Sequence, residues 1–85
     1  MTYHLLRLPE VMRLTGVSRS TLYLQRLAGL FTPPINIGPR ATAWPANEVE
    51  AIIQARIAGR SDEEIKALVT RLIVARASTS DRGAA

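Results

Sequence analysis

The side chains best able to grip a polyanion stand in one short run, Ser18-Arg19-Ser20-Thr21-Leu22-Tyr23. Arg26 follows less than one turn later, and Arg40 lies further along. Arginine offers a planar fork that can bond guanine O6 and N7 together, a contact worth about 1–3 kcal/mol of discrimination between bases. Ser18 reads first as a helix cap, accepting from the N–H of Ser20 or Thr21. The free N–H groups of that helix end also suit a phosphate. Arg19 and Ser20 fall in its first turn, placed for base edges or phosphates. Tyr23 either donates to a phosphate or packs its ring at the edge of the core. Arg26 either touches nucleic acid or makes a flank salt bridge to Glu10. Arg40 follows Gly38-Pro39 at a turn, where an arginine can enter a narrow minor groove of enhanced negative potential; the alternative is a solvated loop arginine. The expected DNA contacts are therefore Ser18, Arg19, Ser20, Thr21, Tyr23, Arg26 and Arg40.

Other chemistries find no footing. The chain has no cysteine, and one histidine, His4, near its start. That excludes a disulfide framework and a thiolate zinc site. No acid/base pair, activated nucleophile or phosphate-cradling glycine loop is visible, so an enzyme is not expected. No cofactor, metal or small-molecule substrate is expected either. No apolar run reaches the length of a membrane helix. Arg7 and Glu10 interrupt the start, against a signal peptide. The expected location is cytoplasmic and nucleoid-associated.

Charge is distributed unevenly. Residues 1–44 hold Arg7, Arg13, Arg19, Arg26 and Arg40 against Glu10 alone, while residues 45–85 balance six basic against six acidic side chains. The whole net charge of +4 thus lies in the half that carries the arginine run. A basic patch confined to one segment points to a polyanion partner, here double-stranded DNA.

These residues need elements to hold them. Pro9 suits the first turn of a helix, which carries Val11, Met12 and Leu14 and is broken by Gly16. Val17 forms a hinge, and a second helix runs from about Arg19 to Ala28, ending at Gly29. Two short helices joined by a glycine-containing turn form the motif that lays its second helix in a DNA groove. The faces of that second helix stay open. With Leu22 inward, Arg19, Ser20, Tyr23 and Leu27 look outward, and Leu24 and Leu27 are left partly exposed, where they either reach a partner or a thymine methyl or close over the wing.

Thr32-Pro33-Pro34 must be extended. Ile35-Asn36-Ile37 alternates as a half-buried strand does, Gly38-Pro39-Arg40 turns, and Ala41 to Trp44 returns. This hairpin is a wing that leans on the helices through Ile35, Ile37 and Trp44, and Phe31 anchors the core beside it. A third helix begins near Pro45 or is capped by Asn47 with Glu50. Val49, Ile52, Ile53 and Ile57 form its stripe. Ser61 with Glu64 is a capping box for a fourth helix, whose Ile65, Leu68, Val69, Leu72 and Ile73 line one face. That helix either folds back on the third or pairs with its copy in a homodimer. Residues 1–6 read as a loose or extended arm.

The fold class is mainly α with a small two-stranded β wing: a winged helix-turn-helix followed by a C-terminal helical hairpin. Residues 1–77 form one domain, with the helix-turn-helix at 9–28, the wing at 35–44 and helices at 45–58 and 62–77. Residues 78–85 form a flexible tail. A domain of this size buries only roughly 60% of its unfolded surface, so its stability is modest.

With wing and third helix in place, the chain resembles the AlpA family. The carrying residues are Leu6-Arg7-Leu8-Pro9-Glu10-Val11 and Gly16-Val17-Ser18-Arg19-Ser20-Thr21-Leu22-Tyr23. Ile37-Gly38-Pro39-Arg40-Ala41, Trp44-Pro45 and Glu48-Val49-Glu50 follow them. The likeness covers about residues 5 to 60. It departs at Leu24 and Leu27, where polar or basic residues are expected, and at Asn47. The resemblance implies a small regulator from a prophage or other integrated element, related to MerR-like winged helix-turn-helix and excisionase domains. It implies a transcription regulator, some members switching on an integrase or promoting excision. Three readings follow: a sequence-specific regulator, an excisionase-like factor that bends DNA, and a protein-interaction module that engages a partner through Leu24, Leu27 and helix four.

Overall fold

The computed structural model describes residues 4–84; the side chains of 78–84 lie outside the description. In chain order the elements are β1 (Leu5–Leu6), α1 (Leu8–Thr15), α2 (Arg19–Leu27), β2 (Ile35–Gly38), β3 (Ala41–Pro45), α3 (Ala46–Ile57) and α4 (Asp62–Ala84). This is the expected winged helix-turn-helix with C-terminal helices, with one addition. Leu5 and Leu6 pair antiparallel with Pro45 and Trp44, so the sheet has three strands in the order β1-β3-β2. A two-stranded ribbon alone is marginal in water, and β1 supplies the missing neighbour. The part of the expected arm at residues 1–3 lies outside the described residues. The expectation of a flexible tail at 78–85 falls on Ala85 and on side chains outside the description; α4 itself is drawn through Ala84.

The helix-turn-helix forms for local reasons. Gly16 ends α1 in the left-handed region at φ 74°, and its N–H bonds the Met12 carbonyl at 2.9 Å. A side chain there would meet no atom but would be strained by the backbone. Ser18 caps α2 by accepting from the Thr21 N–H at 3.2 Å, and its hydroxyl donates to the Thr21 hydroxyl at 3.0 Å.

One core joins all layers. Val11 from α1, Leu22 from α2, Phe31, Trp44 from β3, Val49 and Ile52 from α3, and Ile65 and Val69 from α4 are buried together. The Phe31 and Trp44 rings meet edge to face at 6.2 Å, and Trp44 Nε1 donates to the Thr32 carbonyl at 2.8 Å. Trp44 is thus a core residue with its one polar atom satisfied.

Several expectations give way. Ile37 does not lean on the helices but is exposed. The register slips between Asn36 and Gly38, leaving Ile37 as the unpaired residue of a bulge, which turns it out of the alternation. Of the two starts offered for α3, the one at Pro45 holds: no side chain caps it, Asn47 lies inside the first turn, and the Ala46 N–H bonds the His4 carbonyl at 2.8 Å. Ile57 leaves the α3 stripe and is exposed at the helix end. The Ser61–Glu64 capping box forms in both directions, at 3.0 and 3.2 Å. Much of the α4 stripe is consumed within the chain, with Ile65 and Val69 buried and Leu68 and Leu72 packed on the core.

Candidate nucleic-acid interface

A helix advances 100° per residue, so burying Leu22 settles every other side of α2. Arg26, Arg19 and Tyr23 fall on the flank next to it, and they line one depression with Pro34 and Thr42 of the wing segment. Thr21, Gln25 and Ala28 fall on the other flank. There Gln25 is held by Arg56 of α3, whose Nη2 donates to the Gln25 side-chain oxygen at 2.9 Å and to the Leu30 carbonyl at 3.2 Å. The side opposite Leu22 carries Ser20, Leu24 and Leu27. Leu24 and Leu27 are 64% and 65% exposed, which ends the ambiguity left by the sequence.

The expected contact residues are all at the surface: Ser18, Arg19, Ser20, Thr21, Tyr23, Arg26 and Arg40 are exposed. Arg19, Tyr23 and Arg26 are brought together in the depression beside the wing. Ser18 and Thr21 instead satisfy each other as the cap of α2. The salt bridge offered for Arg26 does not form, because Glu10 pairs with Arg13 one turn along α1. The Arg13 guanidinium holds the Glu10 carboxyl below its ordinary value, chiefly through their hydrogen bond. Among the described residues, Arg19, Arg26 and Arg40 have no carboxylate partner.

Arg40 occupies the wing tip at φ 58°, the single non-glycine residue with positive φ among those described. Pro39 before it has its φ preset, so the pair follows the φ pattern of a type II turn, whose second central position favours glycine. An arginine there is held against a local steric cost.

Two arginines of the charge-neutral half hold this surface in place, and neither was anticipated as a site residue. Arg56 bridges α3 to α2, its guanidinium 5.9 Å from the Phe31 ring centre. Burial lowers its pKa, an effect that Asp62 opposes, and a guanidinium keeps its charge regardless. Arg76 of α4 forks onto Glu48 at 2.7 and 2.6 Å and donates to the Pro33 carbonyl at 2.7 Å. This pair fixes the extended segment that leads into the wing. Its sequence signal is a charge on an apolar stripe: Arg76 continues the Ile65, Val69, Leu72 face, and Glu48 lies one turn before Ile52.

No group of histidine, cysteine, aspartate and glutamate able to hold a metal ion occurs among the described residues. No helix among them is long and apolar enough to cross a membrane.

Residues 4–57 match the family model described as Prophage CP4-57 regulatory protein (AlpA). The chain is also similar to the Uncharacterized protein ORF88 of Enterobacteria phage P4, 49% identical over 55 residues that cover 65% of this chain and 62% of that relative. The chain therefore spans less than two thirds of the relative's length. No solved structure matches it. The matched segment begins at His4, just before β1, and ends at the last residue of α3, taking in both helices of the motif, the wing and its strained arginine. The chain belongs to the AlpA family of prophage regulatory proteins.

Proposed function

We propose that this protein is a sequence-specific regulator of transcription in a prophage or integrated element, and that it binds double-stranded DNA with α2 in the major groove and Arg40 on the wing beside it. The observation that carries this reading is the depression between α2 and the wing, lined by Arg19, Tyr23 and Arg26. Among the described residues its two arginines have no carboxylate to neutralise them. The two guanidinium groups share one concave edge with Tyr23, Pro34 and Thr42. Arg19 and Arg26 sit on the flank of α2, so they serve the phosphate rails, while the Ser18 cap leaves the helix N-terminus toward the same backbone.

The test is a salt titration of binding to labelled duplex. Affinity falls steeply with salt, with a slope of about −0.9 for each phosphate neutralised. Arg19→Ala and Arg26→Ala each lower affinity for all duplexes alike and reduce that slope by about one phosphate's share. Binding without salt dependence, or unchanged slopes in both variants, overturns the reading.

A further inference from the structure

We propose that Leu24 and Leu27 determine sequence specificity by packing on thymine methyl groups in the floor of the major groove. This rests on the reading that α2 enters that groove, and it names what α2 reads there. The side of α2 opposite the core carries Ser20, Leu24 and Leu27 at a spacing of four and three residues, so the two leucines stand on one outward stripe. Both are about two-thirds exposed, which is costly on a helix that buries Leu22 alone. Toward the wing, Tyr23 borders the stripe, with Arg19 and Arg26 beyond it on the same flank, neither arginine paired with a carboxylate among the described residues. All the excess positive charge of the chain lies in residues 1–44 around it.

The occupant of this surface must therefore be apolar where it meets the leucines and anionic along the edge toward the wing. The major groove at A·T pairs has that character: the thymine C5-methyl is the one apolar group in its floor, and phosphates line its rim. Guanine does not fit, because its O6 and N7 acceptors would lose water against leucine and gain no donor. Arginines on the flank position the helix, and leucines on the crown discriminate. An apolar protein partner would have no use for the cationic flank.

The experiment uses the full chain. Bound duplexes are selected from a random pool, and each thymidine of the selected sequence is replaced in turn by deoxyuridine, which deletes the methyl and keeps the base pairing. The expected result is a loss of roughly fourfold per contacted methyl, the worth of one buried methyl group. Leu24→Ala and Leu27→Ala, both on the surface and expected to melt like the unaltered chain, each lose sensitivity to uracil at one position. Equal affinity for thymine and uracil duplexes, or variants with unchanged uracil sensitivity, overturns this inference while salt-dependent binding keeps the broader reading. Absence of salt-dependent binding to any duplex overturns both, and leaves the leucine stripe to a protein partner.

Discussion

Arg40 is where local energetics and the proposed role pull in opposite directions. A side chain at φ 58° costs about 1–2 kcal/mol relative to the right-handed region, and glycine gives back about 0.5–1 kcal/mol through its freer unfolded chain. Arg40→Gly is therefore expected to stabilise the fold by about 0.5–1 kcal/mol while weakening DNA binding. Thermal melts and a binding titration on the same sample check both signs. A variant that is more stable and binds equally well would make Arg40 a tolerated oddity of the turn. The arginines at 56 and 76 show a different economy at this scale: each satisfies a backbone carbonyl at a chain crossing and so shapes the surface from within.

At the scale of elements, helix ends decide most of the layout. Glu64 closes the capping box of α4, and its pKa is lowered chiefly by the hydrogen bonds from Ser61. A carboxylate depressed in the folded chain adds stability above its unfolded pKa, and that stability is lost as pH falls through the folded value. Glu64→Gln keeps an acceptor for the Ser61 N–H but cannot titrate. Melting points measured from neutral to acid pH are expected to show the unaltered chain ahead at neutral pH and level with the variant in acid. Glu10, lowered by Arg13, acts with the same sign, so some acid sensitivity persists in the variant. Parallel curves would show that the cap has no pH-dependent share.

At the scale of the molecule, the unit that matches the family stops before the unit that folds. The match ends at residue 57, yet Ile65 and Val69 of α4 are buried in the same core as Val11 and Leu22. A chain cut after Gly59 loses two buried aliphatic side chains, each worth about 1.5–3 kcal/mol, and with them the Arg76–Glu48 fork. Against a typical total stability of about 5–15 kcal/mol, the shortened chain is expected to lose its cooperative thermal transition by circular dichroism. A cooperative melt near that of the full chain would make α4 an accessory. No described residue of α4 lines the depression between α2 and the wing segment.

Local signals were enough to read the proline-started and serine-capped helices, the turn at Gly38-Pro39-Arg40, the capping box at Ser61 and the arginine run. Each depends on neighbours within four residues, and such bonds form much as their spacing predicts. What periodicity leaves open is which face of an element its neighbours occupy. The α2 helix has leucines on opposite sides, and only the packing of Leu22 into the shared core sent Leu24 and Leu27 outward and turned Arg19 toward the wing. The same holds for the third strand at Leu5–Leu6, the bulge that exposes Ile37, and the fork between Glu48 and Arg76. Those contacts join positions far apart in sequence, and their existence depends on the path of the whole chain.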